Sequence, residues 1–292
     1  MKSNNPIFSR SPEFNGRGSQ AQSGYQPYGA PGAQQGYAQP MYGQAYADSN
    51  VTPQAWGGHP SGPGMQQGRM TIDTVVQKTG MALAVVIVAA LATWVLTPDL
   101  DSGNASGLIA AVTLGSGAAF VLSLVNSFKR VISPALVLAF CAAEGVALGG
   151  VSKLFDGMYP GIVVQAVLGT FAAFAGTLAA YKFLDIKVGD KFRKGVIAVM
   201  FGMVGLSVLE LVMGMFGGGI GIFGMGGVGL IFAVVGLVLG VFMLILDFDF
   251  VENGIAQGID ERESWRAAFA MTVSLVWIYT NLLRILAILS DR

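Results

Sequence analysis

Long apolar runs alternate with short polar segments over most of this chain, but not over its first quarter. Residues 80–289 hold seven runs near the roughly 20 residues that a helix needs to cross a bilayer. The runs are apolar on all sides, whereas the strands of a transmembrane barrel alternate apolar and polar side chains. The pattern therefore predicts an all-α membrane protein with seven transmembrane helices.

The predicted spans begin at residue 80, after Thr71–Thr79, which is predicted to form a short interfacial helix. The seven spans are about Gly80–Leu96, Leu108–Phe128, Pro134–Val151, Gly161–Tyr181, Gly195–Phe216, Val228–Phe248 and Trp265–Leu289. The composition agrees, because 12% of the residues are charged, whereas soluble domains average about 25%. We expect a lipid bilayer as the surroundings of this region.

Residues 1–70 have a different composition from the rest of the chain. They are rich in Gly, Gln, Pro, Ser and Tyr and almost free of Leu, Ile and Val. Such a segment cannot bury enough apolar surface to fold. We therefore predict two parts, a disordered tail over residues 1–70 and a membrane domain over residues 71–292.

The distribution of Lys and Arg predicts the orientation. Fourteen of the seventeen basic residues lie in the tail or in loops 2–3, 4–5 and 6–7 and their borders. All of these segments share one side if the chain crosses the membrane seven times. Because basic residues concentrate on the cytoplasmic side, the N-terminus is predicted to be cytoplasmic and the C-terminus to be outside.

Several classes of function are disfavoured. The formal net charge is zero, so the chain has no general attraction for nucleic acid. The single cysteine, Cys141, and the single histidine, His59, exclude the usual zinc clusters. No hydrolase or metalloprotease motif is present, so we predict a protein that is not an enzyme and has no cofactor. The glycine-rich segment Gly217–Gly227 lacks the spacing of a phosphate-binding loop and is interpreted as a flexible linker or a loop entering the membrane.

Asp247 ends the otherwise apolar run that starts at Gly229. A carboxylate at the centre of a spanning helix costs about 2.5–3.5 kcal/mol. Asp247 therefore either lines a path or pairs with a partner, or else it reaches the interface from near the end of its helix. Gly236 and Gly240 share its helical stripe in a G-x-x-x-G pair, which predicts close packing of that face on a neighbouring helix. Asp249 points elsewhere and is predicted to be a solvated residue at the helix end.

Other polar residues also fall inside the spans. Glu144 lies in the middle of the third span beside Gly145, which forms a second G-x-x-x-G pair with Gly149. It should face the bundle, either as a neutral acid held by hydrogen bonds or as an ion or proton site. In the seventh span, Ser274 and Asn281 share one stripe, while Arg284 either pairs with an acid or reaches outward. Glu210 is expected near the outer rim of the fifth span.

The segment Pro134–Phe155 resembles the third span of the Bax inhibitor-1 family, also called transmembrane Bax inhibitor motif or YccA-like proteins. The segment Gln165–Gly176 resembles the fourth span of that family. The sixth span ending in an aspartate and the last span ending in Leu-Leu-Arg-Ile-Leu are similar too, so the resemblance extends from about Thr71 to the C-terminus. The opening MKSNNPIFSR and the tail resemble members from high-GC Gram-positive bacteria, which implies the bacterial plasma membrane.

The resemblance implies a bundle with the last helix at its centre and a pH-sensitive calcium leak. In the family, two aspartates on the sixth and seventh spans share a proton and govern the leak. The first matches Asp247, but Ser274 stands where the second should be. We expect a gate that is less steeply pH-dependent or that works with a different partner. Asp247 would be a calcium contact, Ser274 and Asn281 would supply neutral oxygens, and Glu144 is the alternative acid. Calcium would be a transported ion.

Two functions follow as hypotheses. The first is a pH-modulated cation leak channel with Asp247 in the gate. The second is a regulator that transports nothing, since some bacterial members modulate a membrane-bound protease and others suppress stress or cell death. In that case the tail would contact membrane-protein partners. A proton-coupled transporter of small solutes is a weaker third hypothesis, and the oligomeric state is not predicted.

Overall fold

The structure is a computed structural model that describes residues 68–98 and 106–291. The helices are α1 (Ile72–Leu96), α2 (Ser106–Phe128), α3 (Pro134–Met158), α4 (Ile162–Phe183), α5 (Asp190–Met215), α6 (Gly227–Ala256) and α7 (Ser264–Ser290). All seven are long and apolar enough to cross a membrane. Within the described ranges there is no strand beyond one isolated bridge. The predicted all-α fold with seven spans is confirmed, while the predicted disorder of the tail concerns residues 1–67, which lie outside the described residues.

Several helices are longer than their predicted spans. The predicted interfacial helix and the first span form one continuous helix, which begins after a capping box in which Thr71 and Thr74 satisfy each other's backbone N–H groups. The third span continues to Met158 and the sixth to Ala256. Apolar runs mark only the part of a helix that lies in hydrocarbon, so polar ends of the same helix escape that pattern.

The last helix is the central element of the fold. α7 packs against α1, α3, α4 and α6. Its buried side chains lie on several sides of the helix, and Ala268, Thr272 and Ile278 are fully enclosed. This is the arrangement that the resemblance implies.

A second packing unit joins α1, α2 and α3. Gly145 and Gly149 of α3 lie directly against the backbone carbonyl oxygens of Val86 and Ala90 in α1, and no space remains for a Cβ atom at either glycine. Gly115 of α2 lies in the same way against the backbone of α3. Small residues let these helix backbones approach as closely as they do.

We call the end of the bundle where α1 and α7 begin the near face. Here the segment before α1 pairs with the loop before α7, since Met70 N donates to Ile259 O (2.8 Å) and Glu261 N donates to Gly68 O (2.7 Å). Lys78 Nζ, which is mostly buried, lies 2.9 Å from Glu261 Oε1. Residues 68–70, which by composition fall in the predicted tail, are thus part of the folded near face.

The opposite end, where α1 and α7 finish, is the far face. Lys153 of α3 donates from Nζ to Trp94 O (2.9 Å) and to Thr97 O (2.5 Å) at the end of α1. A cation is favourable there because the last carbonyl groups of a helix carry partial negative charge and lack partners within the helix.

Candidate functional site at the α6–α7 interface

Asp247 faces α7 and accepts a hydrogen bond from Ser274. The Ser274 Oγ donates to Asp247 Oδ2 over 2.6 Å, and Ser274 is 1% exposed. Asp247 lies nine residues before the end of α6, and Ser274 lies ten residues after the start of α7. At 1.5 Å per residue, the pair lies about 15 Å from the near-face ends of the two helices. The alternative in which Asp247 reaches the interface from a helix end is wrong, because α6 continues well past it.

Gly240 and Gly236 of α6 lie about two and three turns from this pair toward the far face and also face α7. Asn281 Oδ1 lies too close to Gly236 for a Cβ atom to fit there, and the Ile278 side chain lies similarly close to Gly240. Trp277 Nε1 donates to Gly236 O (2.8 Å), while Asn281 Nδ2 donates to Trp277 O (2.8 Å). Between Asp247 and the far face, the α6–α7 interface is therefore filled by side chains of α7, and some of these side chains are polar.

Arg284 lies at the far-face end of the same interface, and no described acid pairs with it. Its Nη2 donates to Ile222 O (2.6 Å), and its guanidinium lies 5.6 Å from the centre of the Phe223 ring. Glu210 of α5 accepts hydrogen bonds from Ile220 N (2.7 Å) and Gly221 N (2.9 Å) of the same loop. The backbone of the glycine-rich segment is thus held by two charged side chains, Glu210 and Arg284. The sequence pattern did not indicate this role for Glu210.

Asp249 lies in a different environment from the solvated helix end that the sequence pattern predicts. It is 7% exposed, and its Oδ2 accepts a hydrogen bond from Arg193 Nη2 at 2.7 Å. It is therefore a buried ion-pair partner and not a solvated residue at a helix end. The reason is that α6 continues for two more turns to Ala256, while α5 brings Arg193 to the opposite side of α6 from Ser274.

A cavity of about 740 Å³ opens on the near face beside this ion pair. Its lining comes from the end of α4, the loop between α4 and α5, the start of α5 and the last two turns of α6 with the residues that follow. It includes Arg193, Asp249 and Glu252 but not Asp247. Tyr181 Oη donates to Glu252 Oε2 (2.6 Å) at the same place. Asp247 and Asp249 thus belong to two different environments on opposite sides of α6.

Glu144 is not brought to Asp247. It is partly buried on α3, whose main neighbours are α1 and α2, and its carboxylate accepts no hydrogen bond from the described part of the chain. The described residues also contain no group of three or more His, Cys, Asp or Glu side chains that could hold a metal ion. A cation at Asp247 would therefore meet one carboxylate and the neutral oxygens around it.

Comparison with known families gives one match, to the family described as Bax inhibitor 1 like, over residues 5–291. A comparison with curated proteins finds no significant match. The family match covers nearly the whole chain, including all seven helices and both members of the Asp247–Ser274 pair. The protein therefore belongs to the Bax inhibitor 1-like family of membrane proteins.

Proposed function

We propose that this protein is a pH-modulated cation leak channel, with Asp247 and Ser274 as its control point and calcium as its principal ion. The observation that carries the proposal is the 2.6 Å hydrogen bond between these two side chains. It joins the central helix to α6 at membrane depth, where a carboxylate is costly unless it serves a path or a partner. By resemblance to the family, we expect the two positions of its proton-sharing aspartates to correspond to Asp247 and Ser274.

The chemistry of the pair suits a leak more than a tight binding site. Ca²⁺ prefers oxygen ligands, and a serine hydroxyl can turn from donating a hydrogen bond to presenting its lone pairs. A passing ion would therefore exchange the Ser274–Asp247 hydrogen bond for contacts with both oxygens. One carboxylate instead of two makes that site weaker, and conduction requires that an ion can leave as well as enter.

The presence of one carboxylate instead of two at this site also determines the expected response of the flux to pH. Protonation of Asp247 would remove the only negative charge of the pair and convert its acceptor into a donor. A single carboxyl group binds one proton, whereas two neighbouring carboxyl groups titrate together as a coupled pair. We therefore expect a flux that follows a one-proton titration curve.

The orientation is also part of the proposal. Basic side chains of the membrane domain collect at the near face, where Lys78, Arg193 and Arg266 make ion pairs and where the loop between α4 and α5 carries further lysines. The positive-inside tendency then makes the near face cytoplasmic. With the tail resembling that of high-GC Gram-positive members, we place the protein in a bacterial plasma membrane.

The test is calcium uptake into proteoliposomes that contain the full-length protein. Asp247→Asn keeps the shape of the side chain and removes its charge, and we expect at least about a tenfold loss of flux, as for loss of an essential charge-assisted contact. Glu252→Gln is the matched control, because Glu252 lies on the same helix in the near-face cavity, and it should leave flux unchanged. Unaltered flux in Asp247→Asn would show that the assigned site is wrong. No flux in the wild-type protein would show that the protein is not a leak channel. Glu144→Gln tests the second acid in the same assay.

A further inference from the structure

The loop between α5 and α6 is held by two opposite charges that come from two different helices. We call Gly217–Gly226 the far loop. Glu210 of α5 accepts from two consecutive backbone N–H groups of this loop, and Arg284 of α7 donates to the carbonyl of the very next residue, Ile222. The loop backbone thus lies between an anion and a cation, with Phe223 against the guanidinium as a further contact.

The far loop covers the far-face end of the α6–α7 interface. Arg284 lies ten residues beyond Ser274 on α7, which is about 15 Å along the helix axis. The loop runs directly into the first residue of α6, Gly227, and its Ile222 is only 4% exposed. A path that follows this interface from Asp247 to the far face would have to pass under the loop.

The composition of the loop makes it easy to move once its anchors are lost. Six of its ten residues are glycine, and Gly217 and Gly221 adopt positive φ values of 78° and 82°. Glycine changes between such conformations without the steric penalty that a Cβ atom imposes. Ile222 is buried, whereas the other large apolar side chains of the loop, Ile220, Phe223 and Met225, are exposed. The closed position therefore depends mainly on Ile222 and on the two charged anchors.

We infer that the far loop is a lid, held closed over the α6–α7 interface by Glu210 and Arg284, and that its release opens the path past Asp247. The inference rests on the proposed function for the path, but the closure of the lid is a separate property of the loop. Glu210 and Arg284 then control the flux without being ion ligands. Variants that loosen the lid should increase the flux, the opposite of the effect expected for Asp247→Asn.

The first experiment measures closure without reference to ion flux. Ile222→Cys is introduced into the full-length protein in lipid nanodiscs, where both faces are accessible, and its rate of reaction with a charged maleimide is followed. The natural Cys141 is fully buried, and the protein without the added cysteine gives its background. The site should react slowly, and at least about tenfold faster when Glu210→Gln or Arg284→Gln is added, because each removes a charge-assisted hydrogen bond. Ile220→Cys, at an exposed position, should react quickly in every background.

Equal rates at Ile222→Cys with and without the anchor variants would overturn the lid. The second experiment measures calcium uptake by the Glu210→Gln and Arg284→Gln proteins without added cysteines. Flux above the wild-type level that Asp247→Asn then abolishes supports the lid as a gate. Faster labelling with unchanged flux would overturn the gate while the wild-type leak stands. No flux in any of the proteins would contradict both the proposed function and the role of the loop as a gate. The labelling rates would still decide whether Glu210 and Arg284 hold the loop closed.

Discussion

Two interfaces in this protein are built on the same G-x-x-x-G spacing and are packed in different ways. Between α1 and α3, Gly145 and Gly149 meet backbone carbonyl oxygens of the facing helix. Between α6 and α7, Gly236 and Gly240 are covered by the side chains of Asn281 and Ile278. The first interface is backbone against backbone, and the second is backbone against side chains.

This difference in packing makes the α1–α3 interface rigid, whereas the α6–α7 interface can rearrange. Helix backbones in contact leave no group that can move aside, because interiors are close-packed. Side chains can change rotamer, and those between α6 and α7 include the polar groups of Asn281, Trp277 and Ser274. The spacing of the glycines predicts that two helices approach closely, but the facing residues decide whether the interface can take part in a function.

The largest effect is a loss of folding stability when a methyl group is added at the α1–α3 interface. Gly145→Ala and Gly149→Ala place a Cβ atom against backbone carbonyl oxygens, so the two helices must separate. We expect the free energy of unfolding to fall by about 3 kcal/mol, the upper end of the usual range for overpacking. Gly236→Ala and Gly240→Ala meet side chains that can move, and about 1 kcal/mol is expected. Thermal unfolding followed by intrinsic fluorescence in detergent compares the four variants. Equal losses at the two interfaces would contradict the comparison.

The second effect concerns the polar groups of the α6–α7 interface. Within residues 68–98 and 106–291, the Asp247 side chain has Ser274 as its only hydrogen-bond donor. We expect Ser274→Ala to reduce calcium flux several-fold and to lower the free energy of unfolding by about 1 kcal/mol. Thr272→Ala is the control, because Thr272 lies on the same helix and its hydroxyl donates to Ala268 O of that helix rather than to α6. A flux in Ser274→Ala that matches the control would show that the hydroxyl has no part in the leak.

The third effect concerns pH. Ser274→Asp places a second carboxyl group beside Asp247, and two carboxyl groups at hydrogen-bond distance cannot both ionise freely. The pH of half-maximal flux should move upward by at least about one unit relative to wild type, and the one-proton curve should become a coupled titration. Flux measured against pH in proteoliposomes checks this. Superimposable curves for the two proteins would contradict a control point at this pair.

The smallest effect is expected at the ion pair on the other side of α6. Arg193→Gln breaks the contact with Asp249, but the Arg193 side chain is 50% exposed and the pair borders a near-face cavity. Solvent therefore screens the interaction, and we expect about 1 kcal/mol or less in unfolding experiments, reduced further by salt, with flux unchanged. A large loss of flux here would move the control point from the α7 side of α6 to the α5 side.

The apolar runs were sufficient to predict the number of helices and their order, since hydrocarbon allows few other structures. They were not sufficient to predict where helices end. Polar residues such as Asp249 and Glu252 end the sixth apolar run, yet α6 continues to Ala256, and Arg193 and Tyr181 from neighbouring elements pair with these two acids. Such contacts join residues that are more than fifty positions apart, and no local pattern contains them.

The site was predictable in part. The glycine stripe indicated that Asp247 faces a neighbouring helix, but only the resemblance indicated that Ser274 stands opposite it. The anchoring of the far loop by Glu210 and Arg284 was missed, because their partners are backbone groups, which carry no sequence signal. A glycine-rich segment therefore suggested a free linker where the structure shows a held loop.

The most direct test of the central claim is a double-mutant cycle of calcium flux on Asp247→Asn and Ser274→Ala in the same proteoliposomes. If the two side chains act as one control point, the double variant will have the same flux as Asp247→Asn alone, because the serine has no role once the carboxylate is gone. If the two losses multiply, the residues act independently, and the account of a shared control point between α6 and α7 is wrong.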